Sequence, residues 1–467
     1  MSQRAELVRG LGLVAAISVN IANMIGTGVF LKTRVMTCNV GDAGTVLAVW
    51  IAAGLLSMAG ALAYSEIAAM MPEAGGDYVF LTRAYGRPVG FLYGWTFFTT
   101  AKAGSQAALA VGVAIFLNVL LGSALDGVFL QFDVLGHAVK LGPLTLVALA
   151  AIWLVALVNC RAVKVGGDTA SVLTFLKIGL VLAVAGAAFA FGRGDWAHLS
   201  LANVGGACEG VEASARGGIA GFGAAMLGAL WAYDGWNNVA PLCGEVKDPQ
   251  RNIPRAFLGG MAIVGSLYLL ANLAYYYVLT PTEIANVPAT SSVATEVMRR
   301  FLGPTATGLI AGAIMISSFG ALHASVLANS RIPFAMARQG MFFKPLADIS
   351  PTTHVPVKAI VAQAAWASVL AISGTYDTLT DAVIFASWLF YGLTTAALFV
   401  FRRRMPEADR PYRAWGYPII PVLFLGVTGW LIVNTFVATP AQALTGAGFM
   451  ALGVPFYWYW SRQLTRP

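Results

Sequence analysis

Three ionisable side chains lie inside otherwise apolar runs of this sequence. Lys102 sits in Thr99-Thr100-Ala101-Lys102-Ala103-Gly104, Lys177 in Val172-Leu173-Thr174-Phe175-Leu176-Lys177-Ile178, and Asp234 in Leu230-Trp231-Ala232-Tyr233-Asp234-Gly235-Trp236-Asn237-Asn238. A charge held in hydrocarbon is costly unless it has a partner, a water-filled cavity or a ligand, so each is a candidate for handling a substrate, an ion or a proton. A fourth feature carries no charge. In Asn23-Met24-Ile25-Gly26-Thr27-Gly28-Val29-Phe30, two glycines flank a threonine and weaken the helix there. Amides that open a second half-helix suit a carboxylate, and carbonyls that end the first suit an ammonium. One interrupted helix can thus hold both ends of a zwitterion. Gly-x-Gly also lets two membrane helices pack closely, and on this stretch alone both readings stand.

Other chemistries find no support. The sequence has no H-E-x-x-H, no G-x-S-x-G and no pair of carboxylates within an apolar run, so an enzyme is not expected. Cys38, Cys160, Cys208 and Cys243 form no C-x-x-C pair, and His137, His198, His323 and His354 are dispersed. Neither a metal nor a cofactor is expected. Cys38 and Cys208 fall on segments of the same side and are either bridged or free; their spacing does not choose.

The elements that position these residues follow from composition. Of 467 residues, 58% are hydrophobic and 11% charged, against roughly 25% charged in soluble domains. Twelve apolar stretches are long enough to cross a bilayer as helices, at about 10–33, 44–70, 88–120, 142–160, 166–191, 219–243, 256–279, 304–330, 357–374, 379–401, 417–438 and 442–460. The first continues past any plausible signal-peptide cleavage point. No long polar segment separates them, so one membrane domain over 1–467 is expected. With the N-terminus cytoplasmic, twenty of the 29 Lys and Arg fall inside, seven outside, and Lys102 and Lys177 within spans. This is the positive-inside bias, with both termini inside. It accounts for the net charge of +8 and for Arg402-Arg403-Arg404 without nucleic acid. Tyr and Trp near the last span ends, among them Trp415 and Trp458, fit an interfacial belt.

The interrupted stretches are the first and the sixth, five spans apart. Paired interruptions at matching places in two halves point to a binding site in an inverted-repeat transporter.

Several segments together resemble the amino acid–polyamine–organocation superfamily, in its L-amino acid transporter-like branch. They are Ile25-Gly26-Thr27-Gly28-Val29-Phe30; Tyr64-Ser65-Glu66 through Pro72-Glu73-Ala74-Gly75-Gly76-Asp77-Tyr78; Gly244-Glu245-Val246-Lys247-Asp248-Pro249-Gln250-Arg251-Asn252-Ile253-Pro254-Arg255; and Ser318-Phe319-Gly320-Ala321-Leu322-His323-Ala324-Ser325 with Ser330-Arg331. The resemblance implies an all-α bacterial inner-membrane protein of twelve spans. Ten of them form a five-plus-five inverted repeat of the leucine transporter type, about 10–191 and 219–401, followed by two helices at about 417–460. It implies sodium-independent transport of L-amino acids by alternating access, as exchange or proton symport. The substrate carboxylate would meet amides around Thr27, Gly28 and Val29. The ammonium would meet carbonyls near Ile25, beside Gly26, and around Trp231, Ala232 and Asp234, with Trp231 as an aromatic gate. Lys177, with Ser317 and Ser318 as partners, would replace the sodium ion of sodium-dependent relatives: if it stays charged the cycle is exchange, and if it titrates the cycle is proton symport. Asn23 and Lys102 are further candidates. The loop at about 121–141 has no cysteine, so a disulfide-linked heavy chain is not expected.

Alternatives stay open. Asp234 contacts substrate, which would admit cationic amino acids or polyamines, or it pairs with a lysine such as Lys102. A non-transporting amino-acid sensor on the same fold is the other rival.

Overall fold

The computed structural model describes residues 6–464 apart from 135–136, 289–290, 374–375 and 439. The cytoplasmic placement expected of the two termini concerns 1–5 and 465–467 and lies outside the described residues.

Each of the twelve apolar stretches coincides with helix. The first is split into α1 (Leu13–Met24) and α2 (Gly28–Val40), bent by 40°. Next come α3 (Ala43–Met70), the short α4 (Asp77–Tyr85), and α5 (Arg87–Thr96), which runs through one π-helical turn, Phe97–Ala101, into α6 (Lys102–Leu120). A two-stranded hairpin, Leu130–Val134 with His137–Leu141, leads to α7 (Pro143–Asn159) and α8 (Val163–Phe191). Then come α9 (Gly218–Tyr233), α10 (Pro249–Val278), the short α11 (Pro281–Ala285) and α12 (Val293–Leu302), α13 (Thr305–Asn329) and α14 (Arg331–Arg338). The chain closes with α15 (Val357–Ser373), α16 (Tyr376–Arg404), α17 (Ile419–Ala438), α18 (Pro440–Ala451) and α19 (Gly453–Leu464). Among the described residues, six continuous helical segments qualify by length and apolarity to cross a membrane, seven with the bent first pair, and α7, α9 and most of α15 are shorter apolar helices.

The interior is apolar, as in a soluble protein, but much of the exterior is apolar as well. On α8, Val172, Phe175 and Leu176 face outward while Thr174 and Lys177 are buried. An apolar exterior around buried polar groups is stable only if lipid covers it and each buried polar group finds a partner.

Helices five apolar stretches apart meet directly: α2 against α9, α3 against α10, and α6 against α13. α1 is enclosed by α8, α10 and α13. The extension of α2 to Val40 carries Cys38 to Cys208, and the two are joined in a disulfide with Cα atoms 5.6 Å apart.

Candidate functional site

The first break follows from its glycines. Ile25 leaves helical geometry with ψ 87°, and α2 restarts at Gly28. A Cβ on Gly28 would stand 2.7 Å from Cβ of Ala232 and 3.0 Å from its Cα, so only glycine allows α2 to lie against α9. The amides of Gly28 and Val29 open the first turn of α2 and have no acceptor within their own helix, whereas Phe30 N donates to Thr27 O at 3.1 Å.

The second break is longer. α9 stops at Tyr233, and turns cover residues 234–239 before a 3-10 segment, Ala240–Glu245. Gly235 has φ +97°, and a Cβ there would meet Cβ of Asn23 at 2.8 Å. The two breaks therefore touch, Asn23 against Gly235 and Gly28 against Ala232.

Between them lies a small cavity. Of the residues singled out from sequence, it brings together Asn23, Gly26, Thr27, Gly28, Trp231, Ala232 and Asp234. Ile25 and Val29 do not line it; both are fully buried behind the break. Met24, Ser105, Ala108 and Leu109 complete the wall and were not anticipated. Ser105 lies one turn beyond Lys102 on α6 and nothing in its sequence context marks it. Trp231 lines the cavity with Lys32 Nζ 4.8 Å from its ring centre. A second cavity shares Thr27 and continues past Leu31 and Phe116 to Ser291 and Ser292.

The carbonyls freed at the first break are taken up from behind. Lys177 Nζ donates to Ala22 O at 2.8 Å and to Ile25 O at 2.7 Å. Ser317 Oγ, with one proton to give, lies 3.0 Å from Ile25 O and 3.1 Å from Gly26 O. The Ile25 carbonyl is thereby served twice, away from the cavity. Among the described residues Ser318 Oγ has no hydrogen-bond partner, so the expected pairing of Lys177 with both serines reduces to a shared acceptor with Ser317. Lys177 also lies against α13, where a Cβ on Gly320 would come 2.7 Å from its Cε.

Tyr268 on α10 joins the two breaks, and sequence gave no sign of it. Its hydroxyl faces Met24 O at 2.7 Å and Ala232 O at 2.9 Å. One hydroxyl carries one proton, which the two carbonyls share; Met24 O also accepts from the Gly26 amide at 2.9 Å.

At the second break side chains dominate. Asp234 Oδ1 accepts from Tyr391 Oη at 2.6 Å, and Oδ2 lies 3.5 Å from Lys102 Nζ. Asn237 Nδ2 lies 3.4 Å from Oδ2 of the buried Asp77, whose Oδ1 accepts from Tyr64 and, at 2.9 Å, from Thr394 Oγ1.

The remaining motif residues gather away from the cavity. The Gly75 amide donates to Pro241 O at 3.0 Å, joining the Pro72–Asp77 loop to the segment after α9. Arg331 and Glu245 form a fully buried bidentate pair at 2.7 and 3.0 Å. Glu66 accepts from Arg402 at 2.9 and 2.6 Å and from the Ala414 amide at 2.6 Å. Motifs that read separately in sequence are partners in space. Among the described residues no cluster of three His, Cys, Asp or Glu side chains could hold a metal.

The model of the family described as "Amino acid permease" matches residues 11–459. The chain belongs to that family. It is 30% identical to the serine/threonine exchanger SteT of Bacillus subtilis, over 97% of both chains. It is 28% identical to the mouse b(0,+)-type amino acid transporter 1, over 99% of this chain and 91% of the relative. The same identity holds with the mouse large neutral amino acids transporter small subunit 2, over 98% and 82%. These relatives are amino acid transporters, not enzymes. As an amino acid permease with several long apolar helices, the chain is a multi-pass membrane protein.

Proposed function

We propose that this permease exchanges L-amino acids across the bacterial inner membrane by alternating access, without sodium. The observation that carries the reading is the meeting of two helix breaks around one cavity. Amides at Thr27, Gly28 and Val29 receive the substrate carboxylate at the positive end of α2. The ammonium is held at the carbonyls of Met24 and Ala232, which share the single proton of Tyr268. Ile25 O, the acceptor expected from sequence, serves Lys177 and Ser317 instead. Trp231 closes over the substrate on the side of the second cavity.

The fold we propose has twelve spans in one domain, with a five-plus-five inverted repeat and two further helices. Contacts between helices five apart, α2 with α9, α3 with α10 and α6 with α13, are those expected of equivalent elements around a twofold axis. The basic loops and both termini face the cytoplasm, where Arg331–Glu245 and Arg402–Glu66 bind the inner ends together.

Sodium independence rests on Lys177. Its Nζ takes the carbonyls of Ala22 and Ile25 at the end of α1, doing from a side chain what a bound cation would do there. A fixed internal cation needs no sodium gradient, and the exchanger named among the relatives supports the same cycle. The loop before α7 lacks cysteine, so no covalent heavy chain is expected.

Proteoliposomes test this. Uptake of labelled amino acid should require unlabelled amino acid inside and be unchanged when sodium is replaced by choline. Uptake into empty vesicles driven by a sodium or proton gradient would overturn the exchange cycle. A protein that binds amino acids and never moves them would be a sensor.

A further inference from the structure

The cavity holds one carboxylate side chain, Asp234, and the structure shows what occupies it. Its side chain is 18% exposed, against 2% for Lys102. Lys102 reaches it from α6 at 3.5 Å, and Tyr391 donates to its other oxygen at 2.6 Å from α16. Lys102 Nζ also stands 3.5 Å from the Tyr391 hydroxyl, so three groups from three separate helical segments close one network.

Lys102 is aimed there by a local distortion. The π-helical turn Phe97–Ala101 ends at Lys102, where α6 begins. One π turn shifts the helical register and redirects the side chains that follow; such turns recur at functional sites. Phe97 underlies the ammonium at 5.4 Å from its ring centre. An acid and a lysine on distant helices, both within apolar runs, have no need of each other in a simple packing core. An apolar pair in their place would be as stable or more so.

We infer that Lys102 is a charge filter: by neutralising Asp234 it reserves the cavity for amino acids with uncharged side chains and turns cationic ones away. This rests on the cavity being the substrate site, as proposed above. A cationic side chain that reached Asp234 would have to enter beside the Lys102 ammonium, and like charges brought together in a dry site are strongly disfavoured. Without Lys102 the same carboxylate would face the cavity held only by Tyr391 and would recruit a guanidinium or ammonium.

The test uses the purified full chain, with binding read by thermal shift and transport by counterflow in proteoliposomes. The probes are L-alanine, L-arginine and L-glutamate. Wild type should bind alanine and neither charged probe. Lys102→Met should raise the arginine-to-alanine ratio about tenfold or more, as removal of a like charge predicts. Asp234→Asn leaves the lysine uncompensated and should admit glutamate while still refusing arginine. If Lys102→Met does not yield folded protein, the Asp234→Asn arm decides alone. Arginine bound by wild type, or charge ratios unmoved in the variants while alanine still binds, would overturn the filter and leave the site intact. Failure of wild type to bind any neutral amino acid would instead bring down the site itself.

Discussion

The two breaks serve one cavity by different means. The first is short, three residues from Ile25 to Thr27, and the groups engaged there are backbone: carbonyls of Ala22, Met24, Ile25 and Gly26 are held by Lys177, Ser317 and Tyr268. The second is twice as long and works through side chains, with Asp234 reaching Lys102 and Tyr391 and Asn237 reaching Asp77. Every α-amino acid has the same carboxylate and ammonium, so a backbone site suits what substrates share. Side chains differ, so the second break is where substrates are told apart. The first break should therefore be intolerant of change, and the second should alter selectivity.

The largest effect tests the first half of that statement. Gly28→Val places a Cβ 2.7 Å from that of Ala232 and 3.0 Å from its Cα. Backbone cannot yield as a flexible side chain would, so α2 must shift off α9, and a displacement near 1 Å in a positioned site costs about a hundredfold. Uptake and thermal-shift binding should both be lost, while circular dichroism reports unchanged helix content. Normal affinity in this variant would remove the first break from the site.

Next is Lys177→Ala. Ala22 O loses its side-chain donor inside the protein, at about 1–3 kcal/mol if left unsatisfied, while Ile25 O keeps only Ser317. Exchange should fall at least about tenfold, and the melting temperature should fall with it. The readout that separates a cation surrogate from a mere brace is partial rescue by sodium. Full exchange with no change in melting would take Lys177 out of the mechanism.

The two breaks also differ in how plainly they are written in the sequence. The first was legible because its signal is backbone chemistry, and Gly26-Thr27-Gly28 is a local pattern. The second was legible in part, since Asp234 in an apolar run is conspicuous wherever it points. Its neighbours were not. Lys102 and Asp234 are 132 residues apart, and only the fold could choose between a substrate contact and a lysine pair. Tyr268 lies in an apolar run with tyrosines at 275, 276 and 277, and nothing local distinguishes it from them. The partners of the Ile25 carbonyl, Lys177 and Ser317, were not fixed by sequence, because which way a freed carbonyl points is set by neighbouring helices. The motifs around Glu66, Asp77, Glu245 and Arg331 were visible, yet their mutual contact was not, because pairing across loops leaves no period in a sequence.

Tyr268→Phe probes the joint between the breaks. It keeps the ring and deletes the one proton shared by Met24 O and Ala232 O, a loss of about 1 kcal/mol that corresponds to roughly a fivefold rise in KM. Met24 O keeps the Gly26 amide, but Ala232 O then turns to the substrate ammonium, so an analogue lacking that ammonium should lose more than alanine does. Equal losses for both ligands would mean that Tyr268 only braces the helices.

The smallest effect falls on the second break and is the most diagnostic of its role. Tyr391→Phe removes one of the two groups that hold Asp234 and leaves Lys102 in place. Losing a single hydrogen bond to a carboxylate that retains a cationic partner should change alanine transport by only about threefold. The carboxylate becomes freer to turn toward the cavity, so arginine should begin to inhibit alanine exchange, more weakly than after Lys102→Met. That order, Lys102 before Tyr391, follows from charge: the lysine opposes an incoming cation directly, whereas the tyrosine only fixes the orientation of its counter-charge. Stronger arginine inhibition in Tyr391→Phe than in Lys102→Met would reverse the order and make geometry, not charge, the basis of discrimination at this end of the cavity.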